Sequence, residues 1–206
     1  MTRQVSALYK TLDEHKPEDI IKSLFESSYN ELLSIKPKSS LLKALNKRIT
    51  ALIEPINKNL EPPKLVMELE RIISDKLRIG EDVNFGVDFA LGGEGDCVVF
   101  ADIFFSALYV MKRYDVLDKL RVHYNHNGTH VWLSYRDIKG TIKINDAYFS
   151  PKRTGRLPLL LSYNLNNLGV TLENMGKLRA ARSAYKTAIE LAPYSELPRL
   201  NLEDSY

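Results

Sequence analysis

Cys97 is the only thiol in the chain, and it closes the stretch Gly92-Gly93-Glu94-Gly95-Asp96-Cys97, where a glycine-rich loop runs into the apolar segment Val98–Met111. A thiol in the first turn of a helix faces unpaired backbone N–H groups and the positive end of the helix dipole. Both stabilise a thiolate, the form of cysteine that acts as a nucleophile. Gly92, Gly93 and Gly95 let the loop backbone approach a substrate closely and aim main-chain N–H groups at a developing oxyanion. A phosphate-binding loop needs a following Gly-Lys-Ser/Thr, which is missing here, so that reading fails.

A nucleophilic thiol needs a base, and the chain offers four histidines. His15 lies in a charged stretch, His126 in the turn Asn125-His126-Asn127-Gly128, and His123 on a strand beside Tyr124. His130 opens the strand His130-Val131-Trp132-Leu133 just after Gly128-Thr129, and is the candidate base. The spacing of His123, His126 and His130 suits neither one helix face nor a zinc finger, so no metal site and no cofactor are expected. The acid that would orient the imidazole is Asp146, sixteen residues beyond His130. A three-residue hairpin loop, Ile138-Lys139-Gly140 with Gly140 left-handed, sets Asp137 opposite Thr141 and His130 opposite Tyr148. Asp146 then lies diagonally across on the same face as His130. A two-residue loop would send the two to opposite faces. Taken singly, a buried cysteine, a strand histidine and a turn acid each have a structural explanation; in this order and spacing they form a catalytic candidate.

The elements that must position these residues change period along the chain. The first part reads as helices. Pro17 precedes a helical stripe of Ile20, Ile21, Leu24, Phe25, Leu32 and Leu33. Ser39-Ser40 cap a second helix carrying Leu41, Leu42, Leu45, Ile49, Leu52, Ile53 and Ile56. Pro62-Pro63 open a third, with Leu65, Val66, Leu69, Ile72, Ile73 and Leu77 on one face and Gly80 at its end. The Val98–Met111 segment is apolar on nearly all sides, with Asp102 and Ser106 four apart on one face, and predicts a buried central helix. Beyond residue 120 three β-branched and aromatic stretches predict strands, at Leu120–Tyr124, Thr129–Tyr135 and Thr141–Asn145. The expected class is α+β: N-terminal helices over residues 1–60, a core over 61–157 in which the buried helix carrying Cys97 packs on a small antiparallel sheet, and a helical segment over 158–206.

That last segment resembles a tetratricopeptide repeat. In Ser162–Ser195 the residues Leu165, Leu168, Gly169, Leu172, Gly176, Ala181, Tyr185, Ala188 and Pro193 fall where such a repeat wants its large, small and terminating side chains. Gly169 and Ala181 leave room for close helix approach, and Leu172 and Tyr185 fill it. Only one full repeat is present, with the start of a further helix after it. It is expected to dock on the preceding domain, and it could also engage a protein partner.

The chain has 206 residues, 44% apolar and 27% charged, which is ordinary for a globular protein. A net charge of +3, with Lys and Arg dispersed outside Pro151–Arg156, gives no footprint for nucleic acid. One cysteine forms no internal disulfide, the start lacks the apolar region of a signal peptide, and the Cys97–Met111 run, interrupted by Asp102, is too short for a bilayer. The expectation is a cytoplasmic protein without membrane partners.

Gly95-Asp96-Cys97 opening an apolar helix, His130-Val131-Trp132 on one strand and Asp146 at the end of the next resemble the transglutaminase-like branch of papain-fold thiol enzymes, over roughly Leu65–Tyr148. The resemblance implies acyl transfer by a Cys97-His130-Asp146 triad acting on a glutamine side chain or peptide bond of a protein or peptide substrate, through a thioester resolved by water or an amine. It gives Gly95, Asp96 and Trp132 positioning roles. Members often take an oxyanion donor from an upstream Gln or Trp, but Gln4 and Trp132 are the only such residues. The backbone N–H of Cys97 is therefore the expected donor, with Asn84 the best side-chain substitute. Arylamine acetyltransferases share the triad but carry an Arg before their glycines and a further β domain, both missing here. Peptide N-glycanases of this fold add zinc cysteines, which a single cysteine excludes. The alternative is an inactive binding or scaffold protein on the same fold.

Overall fold

A helix apolar on all sides has no face to give to water, so the other elements must cover it. The structure, a computed structural model, describes residues 38–79, 93–124, 130–145, 153–155 and 157–206. Its helices are α1 (Lys38–Ile53), α2 (Pro62–Lys76), α3 (Cys97–Val110), α4 (Tyr114–Leu117), α5 (Leu157–Asn174), α6 (Leu178–Leu191) and α7 (Leu197–Asp204). The strands are β1 (Arg78–Ile79), β2 (Glu94–Gly95), β3 (Leu120–Tyr124), β4 (Val131–Asp137), β5 (Gly140–Ile144) and β6 (Arg153–Gly155). The class is α+β. Among the described residues no helix is long and apolar enough to cross a membrane.

Central helix α3 is buried from Val98 to Tyr109 without a break. It is covered by α1 and α2 on one side, by β4 on another and by α5 on a third. The apolar cluster around it runs continuously from Leu45 to Ala192, so residues 38–60 and 158–206 share one core with the segment between them. Local chemistry sets the ends of these helices. Pro55 disfavours the helical conformation in Glu54, and α1 stops at Ile53, although Ile56 still reaches the core. Pro62 and Pro63 occupy the first turn of α2, where a missing N–H costs nothing. That helix ends at Lys76 rather than running to Gly80, because the chain leaves it to form β1, which pairs in parallel with β2. Likewise α1 begins at Lys38, so Ser39 and Ser40 stand inside its first turn rather than capping it. Past the other end of α3, Arg113 donates to the carbonyls of Lys58 (3.0 Å) and Leu60 (2.8 Å) and pairs with Asp115, tying the α1–α2 connection to the helix.

The main sheet has the order β5-β4-β3-β6, antiparallel throughout. Strand β6 falls within the basic stretch Pro151–Arg156 and has no strand signature in the sequence, since three residues are too few to show alternation. The β4–β5 hairpin corrects the expected register. Asp137 pairs with Gly140 and Arg136 with Thr141, which makes Ile138-Lys139 a two-residue loop. The Asp137 carboxylate accepts from the Lys139 N–H (2.8 Å) and closes the turn locally, while Gly140, at φ 142, joins the ladder as its first strand residue. Neither expected pairing, Asp137 with Thr141 nor His130 with Tyr148, fits this register. The ladder ends at Ile144, and Asn145 leaves it at φ 54. Hairpin parity therefore gives no support for setting Asp146 on the His130 face, and Asp146 itself lies outside the described residues.

The C-terminal helices pack as their small residues predict. A Cβ on Gly169 would stand 2.3 Å from a Tyr185 ring carbon, so α5 and α6 meet at the one residue that leaves the ring space. Tyr185 is fully buried and its hydroxyl donates to Glu173 (2.8 Å). Gly176 turns the chain between the two helices at φ 72. The pair is fastened to the core by a buried polar contact, Asn164 Nδ2 donating to Asp102 Oδ1 (2.9 Å). Asp102 is wholly inaccessible, and burial holds its carboxyl well above the usual carboxylate range, only partly offset by Asn164.

Two outcomes are expected. Gly169→Ala should destabilise the fold by about 1–3 kcal/mol, the usual cost of overpacking a close contact. A urea midpoint equal to that of the parent would contradict this account of the helix pair. For Asp102 the acid form is the one the fold favours, so its contribution is complete below the unfolded carboxyl range and is lost as pH rises towards the folded value. The stability difference between Asp102→Asn and the parent should therefore move in favour of the Asn variant between pH 5 and pH 8, by at most about 1.4 kcal/mol per pH unit. Parallel stability curves for the two proteins would rule this out.

Candidate active site

The start of α3 meets the start of β4. Asp96 is the N-cap: its Oδ1 accepts from the N–H groups of Val98 and Val99, each at 2.9 Å. Cys97 follows as the first helical residue and is half-buried. Its sulfur accepts from the Val131 N–H at 3.4 Å, which joins the helix to the strand one residue past His130. Gly95 makes this approach possible. A Cβ there would stand 2.6 Å from Val99 and 2.7 Å from Leu77, so the glycine lets the loop close onto α3 and α2 rather than onto a substrate.

A cavity of about 270 Å³ opens at this junction. Cys97, Asp96, His130 and Asn145 form its polar wall, and Phe100 and Leu77 its apolar one. The residues that the sequence singled out as nucleophile and base thus line one space. Asp146 and Asn84 lie outside the described residues, as do Gly92 and His126.

The imidazole of His130 is fixed on two sides. Its Nε2 lies 3.2 Å from the carbonyl oxygen of Asn145. A carbonyl only accepts, so Nε2 carries the proton and in the neutral ring Nδ1 keeps the lone pair, the tautomer a general base needs. The ring stacks on Trp132, with centroids 5.9 Å apart and planes 17° from parallel. Trp132 also stacks against His123 (5.5 Å, 22°), whose Nε2 lies 2.7 Å from Ser134 Oγ. Trp132 is 3% exposed, so the structure places it as a platform for His130.

Two contributors are additional to those singled out from the sequence. Asn145 supplies the carbonyl through its left-handed backbone, and its own N–H donates to Glu70 Oε1 on α2 at 2.7 Å. An Asn beside an acid at a strand end is a recognisable turn signal. Glu70 offers nothing comparable, since 75 residues separate it from Asn145.

The electrostatics of the thiol depart from expectation. Sequence position alone predicted a lowered pKa, but burial of the sulfur and the neighbouring Asp96 carboxylate push it up to about 11. The N–H dipoles of Val131, Cys97 and Val98 oppose this and are outweighed. The thiol therefore rests protonated at neutral pH, and attack on a carbonyl requires the proton to leave as the bond forms. No protein family, curated protein or solved structure matches the chain.

Removing the Asp96 charge while keeping its cap should make the thiol more acidic. In Asp96→Asn the amide oxygen still accepts from Val98 and Val99. The midpoint of the pH–rate curve for iodoacetamide alkylation of Cys97 should fall below that of the parent, because one of the two causes that raise the thiol is gone. An unchanged or higher midpoint would show that Asp96 does not set the thiol's acidity.

Proposed function

We propose that the chain is a thiol acyl-transfer enzyme of the transglutaminase-like class, acting on a glutamine carboxamide or peptide carbonyl of a protein substrate. The observation that supports this most strongly is the convergence of Cys97 and the Nε2-protonated His130 on one open cavity at the N-terminus of a buried helix. In this reading Cys97 Sγ attacks the carbonyl carbon as its proton passes to His130 Nδ1. The oxyanion is received by the Cys97 N–H. Collapse expels ammonia or an amine, which takes the proton from the imidazolium and leaves a thioester. Water or an amine then attacks, surrenders a proton to His130 and releases Cys97 as the thiol, giving hydrolysis, deamidation or transamidation. Asp146 is the proposed acid of the triad. The cytoplasm, where a lone thiol stays reduced, is the proposed compartment, and the α5–α6 pair is read as a tetratricopeptide-like unit.

A second reading, a catalytically inactive protein-interaction module on the same fold, is favoured by one observation: the thiol is held protonated and half-buried. The two part on a direct assay. Casein with a fluorescent primary amine as probe should yield ammonia or labelled protein with the parent chain. Cys97→Ser and His130→Ala should each lower the rate by about 10² to 10⁴, the range for losing a general base or nucleophile. A parent that releases no ammonia, incorporates no amine and cleaves no peptide bond, or a Cys97→Ser variant of equal rate, overturns the enzyme reading. The module reading then requires partners captured by the parent to be retained by Cys97→Ala and lost when Gly169→Leu disrupts the α5–α6 pair.

A further inference from the structure

The base in this site is held by a backbone carbonyl, and that carbonyl is itself held from across the fold. A regular strand would continue past Ile144 with its N–H and C=O groups alternating in the sheet plane. At Asn145 the chain turns instead to φ 54, a left-handed conformation that asparagine tolerates better than most residues. In this turn the Asn145 N–H points to α2, where Glu70 Oε1 accepts it at 2.7 Å, and its C=O points to His130 Nε2 at 3.2 Å. The first of these is a charge-assisted bond at the short end of the range for an N–H donor. Glu70 is partly buried on a helix whose apolar face is locked in the core by Leu65, Val66, Leu69, Ile72 and Ile73, so the acceptor is fixed in space.

We propose that Glu70 is a positioning residue for His130, acting through the backbone of Asn145: it anchors the left-handed turn whose carbonyl fixes the Nε2-protonated tautomer and so leaves Nδ1 as the acceptor nitrogen of the ring. Glu70 is not one of the residues lining that cavity, so it acts on the base and not on the substrate. Holding an imidazole through a second-layer partner commonly sets activity by about tenfold to a hundredfold, as for the outer partners of metal-bound histidines. The kinetic consequence rests on the acyl-transfer reading above; the structural one does not.

The test therefore has two arms. Imidazole ¹⁵N NMR reads the tautomer of His130 directly, whether or not the protein is an enzyme. The parent should show protonated Nε2 and unprotonated Nδ1 above the ring's titration. Glu70→Ala should show a mixture of tautomers, and Glu70→Gln, which keeps an acceptor oxygen, should restore the parent spectrum. In the kinetic arm, ammonia release from casein should fall tenfold to a hundredfold in kcat for Glu70→Ala with KM within about twofold, and recover to within about fivefold in Glu70→Gln. If Glu70→Ala does not fold by circular dichroism, Glu70→Asp serves, since it withdraws the carboxylate by one methylene; a tautomer mixture and a kcat loss of about tenfold are expected there. A parent tautomer and parent kcat in the folded Ala or Asp variant overturn the proposal. A parent without acyl-transfer activity whose tautomer nonetheless depends on Glu70 defeats the functional reading and leaves this one standing. A Glu70→Ala variant that only lowers thermal stability, with tautomer and kcat intact, assigns Glu70 to the fold and also overturns it.

Discussion

Helix α3 can be satisfied only by being surrounded, and the rest of the molecule is arranged around that requirement. Twelve of its fourteen residues are buried, including both polar side chains in its middle, so the helix offers water nothing but its ends. One end is closed by Arg113, which reaches back to the carbonyls between α1 and α2. The other opens into the cavity, and it carries Cys97. Burying Asp102 on the same helix demands a partner from whatever covers that side, and Asn164 of α5 supplies it. The C-terminal helices are thereby part of the core that holds the site, joined to it through apolar contact and one buried hydrogen bond, rather than an appendage beside it.

The same burial sets the chemistry of the thiol. A helix N-terminus favours an anion, yet here the anion already present is the Asp96 carboxylate, which accepts from two of the unpaired N–H groups. A thiolate beside it would compete for the same positive end and repel the carboxylate at close range. Desolvation adds to this, and the two together outweigh the N–H dipoles around the sulfur. The capping residue that makes the helix start where it does is thus also a reason its first residue rests neutral. Any nucleophilic role for Cys97 then runs through proton transfer during attack, which puts the demand on the orientation of His130 more than on the acidity of the sulfur.

What the sequence could convey follows the range of each interaction. The central helix was legible to within a residue, because its apolar run is local, and strand β3 was read at its observed limits. The Gly169–Tyr185 contact was legible because a small residue facing a large one at fixed helical spacing is a steric statement. Strand β6 and helix α4 were not, being three and four residues long. The hairpin register failed on one residue: Gly140 reads equally well as the third position of a loop or the first of a strand, and only the Asp137–Lys139 hydrogen bond decides it. That single step turns every side chain of β5 to the other face relative to β4. Glu70 and its bond to Asn145 were beyond reach, because no local pattern relates residues that distant.

The partner of His130 also bears on how charge is handled in the site. A carbonyl oxygen fixes a tautomer as well as a carboxylate does, but it is a dipole and stabilises an imidazolium less strongly. In the acyl transfer proposed above, an imidazolium formed on His130 would feel a cation–π attraction from the stacked Trp132 ring that the neutral ring does not. Under that proposal charge would be favoured at the moment of transfer more than before it, and the transition state would gain more than the ground state. Only interactions with that asymmetry accelerate a chemical step. In the proposed reaction, a buried tryptophan with no wall of the cavity to itself would contribute by stacking on the base.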